Sequence, residues 1–234
     1  MRYPRPTVVI SRCIDFDSCR YNGQVIRASL REELEPFVDL LPICPELEIG
    51  LGVPRDPVRL VQEGRKQEVR LLQPSTGRDL TRAMSSFAKR FLDSLEEVDG
   101  FVLKSRSPSC AIGDAKRFHS DREDDGYDSG PGLFAAHVLD RFPDAAIEDE
   151  ARLKDPRVRD RFLTRLFALA AFRQVTAEAT LAALTEFHRA NEPLLRACDE
   201  TRLRRLDRLV ADAPARVGPD HLRRYRSELA AALT

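Results

Sequence analysis

The sequence predicts an α/β protein with an open, mainly parallel sheet and an all-α extension at its C-terminus. Four short apolar runs lie along the first 150 residues, with helical patterns between them. Aliphatic and β-branched runs without polar alternation are typical of parallel strands buried on both faces. Alternation of such strands with helices favours an open α/β sheet. The predicted strands are "TVVIS" (7–11), "LLPIC" (40–44), "GFVLK" (100–104) and "AAIED" (145–149).

Helices and loops are predicted between these strands. Ser29, with Glu32 three residues later, has the spacing of a capping box at a helix start. Residues 77–98 carry an apolar stripe at helical spacing, which indicates a helix face turned to the core. Two stretches, "IGLGVPRDPVRLV" and the acidic "HSDREDDGYDSG" (119–130), are predicted as loops because Gly, Pro or charged residues dominate them.

The sequence pattern changes near residue 153. After this point about four helical patterns follow, and no strand pattern. We therefore predict two domains, residues 1–153 and 154–234. The last 84 residues hold 17 Lys and Arg against 11 Asp and Glu, a net charge of +6, although the whole chain sums to zero. An arginine-rich helical domain favours a phosphate-bearing partner such as RNA, and solvated helix faces are the equal alternative.

Bulk composition excludes a membrane span and points to a reducing compartment. No apolar run approaches the roughly 20 residues that a spanning helix needs, and the N-terminus lacks a signal-peptide pattern. We therefore predict a cytoplasmic protein with no membrane partner. In that setting the five cysteines are read as free buried thiols or as metal or catalytic residues, ahead of disulfides.

Three cysteines follow three predicted strands. Cys13 comes two residues after the first strand, Cys44 closes the second, and Cys110 follows the third by a short loop. Because ligands of open α/β sheets bind beyond the carboxyl ends of the strands, we expect these thiols to lie close together. Three thiolates favour an iron–sulfur cluster or zinc, and a cluster with only three protein ligands keeps one open iron. Cys198 is predicted as a small core residue, and Cys19 as a loop thiol or spare ligand.

Polar residues beside these cysteines suit catalysis and substrate binding. Glu46, two residues after Cys44, is a candidate general base for water, or else a surface residue on a turn. Ser107 and Ser109 flank Pro108 in "SRSPSC", where hydroxyl groups can bind a polar ligand, relay a proton or form a turn. The remaining candidates for substrate binding are Asn22, which also suits a turn, and Arg55, which also suits a salt bridge at the rim.

The order of these motifs resembles the 2-thiouracil desulfurase family. The similarity rests on "SRC" with "RYNG", "CPE" with "GLGVPR", "TGRD", "KSRSPSC" and "GPGLF", and it covers about residues 7–150. The resemblance implies a Rossmann-like fold and a [4Fe–4S] cluster held by Cys13, Cys44 and Cys110. It also implies a non-redox desulfuration of thiolated uracil, in which Glu46 activates water and Ser107 orients or protonates the substrate.

The helical tail is more loosely similar to the domain fused to this enzyme in tRNA 4-thiouridine desulfidases, through "PRVRDRFLTRLFA" and "LTEFHRANEPLL". This likeness makes thiolated tRNA a candidate partner beside a thiolated base or nucleoside, and it leaves the oligomeric state open. Two other classes of function compete with the enzyme. One is a non-catalytic RNA-binding protein with a cysteine-ligated structural zinc, and the other is an electron-carrying or sensing cluster in which Cys19 is a fourth ligand.

Overall fold

The computed structural model describes residues 4–62, 68–120 and 125–234. The first part of the chain alternates strands and helices. Its strands are β1 Thr7–Ser11, β2 Asp39–Ile43, β3 Arg59–Val61, β4 Arg70–Gln73, β5 Arg78–Asp79, β6 Gly100–Leu103, β7 Ala115–Phe118, β8 Tyr127–Gly130 and β9 Ala146–Asp149. Its helices are α1 Leu30–Leu34, α2 Pro45–Glu48, α3 Thr81–Asp93 and α4 Leu133–Arg141, and a 3-10 helix covers Arg152–Lys154.

The four predicted strands form a parallel sheet in the order β2-β1-β6-β9. Successive side chains of a strand point to opposite faces of the sheet. Val9 and Phe101 therefore pack with α3 and α4 on one face, whereas Ile10 and Val102 pack with α1 on the other. Burial on both faces explains why the sequence of these strands shows apolar runs without alternation.

The C-terminal part is helical, with α5 Pro156–Glu178, α6 Leu181–Cys198, α7 Glu200–Ala211 and α8 Pro219–Ala232. Helix α5 serves two cores. Phe162 and Leu166 pack on the face of the parallel sheet that α1 also covers, while Leu169 and Phe172 pack with α6, α7 and α8. The extension therefore completes the burial of the sheet, and the division of the chain into domains at residues 153 and 154 stays a prediction.

The α/β fold with a parallel sheet and a helical extension is confirmed, but two predicted loops are wrong in part. Strand β3 begins within "IGLGVPRDPVRLV", and strand β8 occupies the end of the 119–130 stretch. Residues 121–124 of that stretch lie outside the described residues. Both strands belong to a second, mixed sheet with the order β5-β4-β3-β7-β8, which the sequence did not predict.

Helix α1 has Ser29 as its N-cap residue, as predicted, but the capping hydrogen bonds come from another side chain. Ser29 has a left-handed backbone conformation (φ 58°), and its side chain makes no capping hydrogen bond. The carboxylate of Asp15 takes its place, accepting hydrogen bonds from the backbone N–H groups of Ala28 at 2.6 Å and Leu30 at 2.8 Å. This cap ties the loop after β1, which carries Cys13 and Cys19, to the start of the helix.

No helix within the described ranges is both long enough and apolar enough to cross a membrane.

Candidate functional site

A cavity of about 510 Å³ lies at the carboxyl edge of the parallel sheet. Its walls come from segments that follow three adjacent strands, as expected for an α/β sheet whose loops gather at one edge. The lining consists of residues 11–13 and 19–21 after β1, 43–46 after β2, 104–108 and Cys110 after β6, together with Arg55, Pro57 and Val58.

Four of the five cysteines line this cavity. Cys13, Cys44 and Cys110 come from the ends of β1, β2 and β6, and Cys19 comes from the loop after β1. All four are buried and none forms a disulfide. Cys198, predicted as a core residue, is instead exposed at the end of α6, next to the exposed Arg196 and Ala197.

The pKa values of three cavity thiols, those of Cys19, Cys44 and Cys110, are raised above that of a free thiol. Contact with the Cys19 thiol, followed by burial, raises the pKa of Cys44 far above that of a free thiol. Contact with the Cys13 thiol, with burial adding to it, raises the pKa of Cys19 to about 11. Burial and then the charge of Glu46 raise the pKa of Cys110. A strong positive charge, such as that of a bound metal centre, would be needed to favour the thiolates here. Binding of a metal centre would therefore be coupled to release of these thiol protons.

The donor set suits a soft metal centre, although the sulfur atoms do not converge on one point. No group of three or more His, Cys, Asp or Glu side chains in residues 4–62, 68–120 and 125–234 is arranged to hold a metal ion. The thiols instead surround a cavity, which is how ligands are placed when each binds a different iron of a cluster. Buried sulfur donors without a histidine fit an iron–sulfur cluster by softness, and the assignment of ligands stays a proposal.

Glu46 lies on α2, directly after Cys44, and both of its carboxylate oxygens are engaged. The Ser109 hydroxyl donates to Oε1 at 2.8 Å, and the Arg55 guanidinium forms a short ion pair with Oε2. The Arg55 side chain is 5% exposed and that of Glu46 is 14% exposed, so the ion pair is almost fully removed from solvent. The structure therefore brings two predicted site residues, Ser109 and Arg55, to the carboxylate of a third, Glu46.

Ser107 organises the turn that carries Cys110. Its hydroxyl oxygen accepts hydrogen bonds from the backbone N–H groups of Ser109 at 3.2 Å and Cys110 at 3.1 Å. This is the pattern by which a serine caps a tight turn, and Pro108 fixes the backbone within it. The Ser107 hydroxyl also hydrogen-bonds the Cys110 thiol, which places it beside a predicted ligand and on the cavity wall.

Two predicted substrate-binding residues do not line the cavity. Ser109 is fully buried behind it and reaches Glu46. Asn22 is exposed on the neighbouring loop, where its amide donates to the Gln24 side chain at 2.9 Å and its carbonyl accepts from the Gln24 backbone at 3.2 Å. Asn22 thus forms the turn that its position before Gly23 also suggested.

The sequence analysis missed a polar network that supports the loop after β6. Glu150 accepts hydrogen bonds from the Lys104 ammonium at 2.6 Å and from the Ser105 backbone at 2.9 Å. The Ser105 hydroxyl in turn donates to Asp114 at 2.8 Å. Glu150 follows directly after β9, and this position at the end of a predicted strand is the sequence feature that could have identified it. The network holds the segment that leads to Ser107 and Cys110.

Comparison with known proteins agrees with the geometry. The family model described as 2-thiouracil desulfurase matches residues 8–150. The uncharacterized protein YbbK of Bacillus subtilis (strain 168) is 28% identical over 112 residues, which cover 45% of this chain and 74% of YbbK. The solved structure of the [4Fe–4S]-dependent thiouracil desulfidase TudS has a TM-score of 0.50 and 25% identity, over 64% of this chain and 94% of that one. The matched segment contains all four cavity cysteines, and the chain belongs to the 2-thiouracil desulfurase family.

Proposed function

We propose that this chain is an iron–sulfur-dependent desulfidase that replaces the thiocarbonyl sulfur of a thiolated uracil by oxygen. The observation that supports this most is that buried thiols and Glu46 line the same cavity. In the overall reaction, the ring C=S group and one water molecule give a ring C=O group and hydrogen sulfide. Atoms and electrons balance without an oxidant or a reductant.

The residues that would hold the cluster are Cys13, Cys44 and Cys110. When it is bound through three thiolates, a [4Fe–4S] cluster supplies an iron with an open coordination position, a Lewis acid suited to a soft sulfur atom. Cys19 lies beside Cys13 and Cys44, and we assign it no ligand role in this proposal.

Glu46 is the proposed general base. Each carboxylate oxygen has two lone pairs, so the single hydrogen bonds from Ser109 and Arg55 leave each oxygen able to accept another. We propose that Glu46 takes a proton from the water that attacks the ring carbon. Ser107 orients the substrate or donates a proton to it, because its hydroxyl lies on the cavity wall and its oxygen is fixed by two backbone N–H groups.

The proposed substrates are 2-thiouracil, 4-thiouridine or thiolated tRNA. Of the predicted substrate contacts, Asn22 and Ser109 lie outside the cavity lining and Arg55 lies within it, and all three stay predictions. Three of the five cations of the lining are paired with carboxylates, since Arg12 pairs with Asp17, Arg55 with Glu46 and Lys104 with Glu150.

Binding of tRNA by the helical extension is a proposal supported by its net charge. Several arginines are paired with carboxylates of the extension itself, namely Arg196, Arg202, Arg204, Arg205 and Arg223. Arg208, Arg216 and Arg224 are exposed and make no ion pair within the described ranges, and the same holds for Arg157, Arg161 and Arg189, so these arginines are available to phosphates. Contacts of this kind are salt-dependent and largely independent of sequence.

The test is an anaerobic assay of protein reconstituted with iron and sulfide, in which free 2-thiouracil, 4-thiouridine monophosphate and 4-thiouridine-containing tRNA are compared. We expect brown protein that contains iron and releases sulfide from at least one of the three. Stoichiometric zinc without iron, together with unchanged substrate in every arm, would instead support a non-catalytic RNA-binding protein with a structural metal.

A further inference from the structure

Glu46 is held at both oxygens by side chains from two distant parts of the chain. Ser109, 63 residues away, donates its hydroxyl proton to Oε1 at 2.8 Å. Arg55, nine residues away, pairs with Oε2. A glutamate held at one oxygen can still rotate about its terminal bonds, whereas contacts at both oxygens fix the carboxylate plane and the direction of its free lone pairs.

Arg55 also joins this carboxylate to the cysteine loop. Its Nη1 donates to the backbone carbonyl of Cys19 at 3.1 Å and to that of Gly52 at 3.0 Å. Its backbone N–H donates to the carbonyl of Tyr21 at 2.9 Å. One guanidinium therefore connects the loop after β1, helix α2 and the segment before β3. The planar fork of arginine makes such a three-way connection possible, and the single ammonium of lysine does not reproduce it.

Ser109 has no donor proton left for the substrate. It is fully buried, its hydroxyl proton is given to Glu46, and its backbone N–H donates to Ser107 at 3.2 Å. Its carbonyl accepts from the backbone of Ala135 at 3.0 Å, which ties the turn to helix α4. A direct substrate contact would require this turn to open.

We infer that Arg55 and Ser109 are not the substrate contacts that the sequence predicts but positioning residues that act through Glu46 and do not bind the substrate themselves. The inference rests on the proposed function, in which Glu46 is the base that meets the attacking water. Arg55 keeps that carboxylate in a fixed place relative to the loop that bears Cys13 and Cys19. Small misplacements of a reacting group have large kinetic costs, because productive geometry is confined to a narrow range of distance and angle.

The test is a double-mutant cycle with Arg55→Gln and Ser109→Ala, each made in the wild-type chain and in a Glu46→Gln background. All variants are reconstituted anaerobically, and kcat and KM for 2-thiouracil are compared at equal iron content. We expect Arg55→Gln to lower kcat about 10- to 100-fold with little change in KM. In the Glu46→Gln background, either substitution should lower kcat less than about twofold, because the effects of residues that act as a unit are not additive.

A second readout separates positioning from binding without relying on turnover. We expect the Kd of the product uracil, measured by calorimetry, to be the same in wild type, Arg55→Gln and Ser109→Ala. A weakened Kd, a raised KM with unchanged kcat, or losses that multiply in the Glu46→Gln background would overturn the inference. Arg90→Gln, on the exposed face of α3, is the matched arginine control.

Failure of this inference is distinguishable from failure of the proposed function. If Glu46→Gln alone retains wild-type activity, the proposed base is wrong, whereas multiplied losses contradict the positioning role alone. If Arg55→Gln does not fold, the test uses Ser109→Ala alone, because that substitution removes only a single oxygen atom from a buried site. Thermal unfolding of each variant identifies that case.

Discussion

Replacing Glu46 by glutamine removes the proposed base and leaves the shape of the side chain. The amide cannot accept a proton from water, and general bases contribute typically 10²- to 10⁴-fold, so we expect kcat to fall by about that factor. This corresponds to roughly 3–5.5 kcal/mol in the activation barrier. The assay is anaerobic sulfide release from thiolated uracil at matched iron content.

The same substitution has a calculable effect on stability, which sets the assay temperature. It removes the carboxylate charge from a guanidinium that is 5% exposed, while the carbonyls of Cys19 and Gly52 still accept from that group. The loss of one charged hydrogen bond corresponds to about 1–3 kcal/mol. For a chain of this length, that is a decrease in Tm of roughly 2–12 °C, so the assay temperature must lie well below the unfolding transition.

Glu48→Gln is the matched control, because Glu48 lies on the same helix and is exposed. It should retain wild-type kcat. A kcat of Glu46→Gln within about threefold of wild type at equal iron content would refute the reasoning, because Glu46 would then not be the general base.

Three other perturbations test separate parts of the structure. Serine at any of the three proposed ligand cysteines should abolish most iron binding after reconstitution, whereas Cys19→Ser should retain it; equal iron in all four variants would contradict the ligand set. Burial raises the pKa of the Tyr225 phenol, so the contribution of this residue to stability is present below pH about 10 and lost above it. The difference in unfolding free energy between wild type and Tyr225→Phe, measured by urea unfolding, should therefore shrink by up to about 1.4 kcal/mol per pH unit from pH 10 upward. A difference that stays constant with pH would refute this. Joint replacement of Arg208, Arg216 and Arg224 by glutamine should weaken tRNA binding and flatten its salt dependence, without changing turnover of free 2-thiouracil; an unchanged salt slope would count against the helical extension as the RNA contact.

The parallel sheet was predictable because its strands are buried on both faces. Strand β1 has the predicted bounds, and the other three differ by one residue at one or both ends. Such strands must be apolar throughout, and their sequence shows it directly. The second sheet gives no such signal, since its strands are two to four residues long and several carry charged residues. Their pairing depends on tertiary contacts.

The positions of the cysteines were predictable from topology, but their surroundings were not. Parallel strands end at the same edge, so cysteines after three neighbouring strands had to approach one another. The partner of Glu46 at Ser109 is 63 residues away, and the cap of α1 at Asp15 is 13 residues from Ala28. Such side-chain contacts follow from the three-dimensional arrangement, and local sequence spacing favoured Ser29 instead.

The central claim is that water supplies the oxygen that replaces sulfur, without a change of oxidation state. The most direct measurement is turnover of a thiolated uracil in H₂¹⁸O under anaerobic conditions, with mass spectrometry of the product and quantification of sulfide. We predict one ¹⁸O atom and one sulfide for each uracil formed, with no electron donor added. A product without ¹⁸O, or a reaction that requires a reductant, would contradict the proposed chemistry.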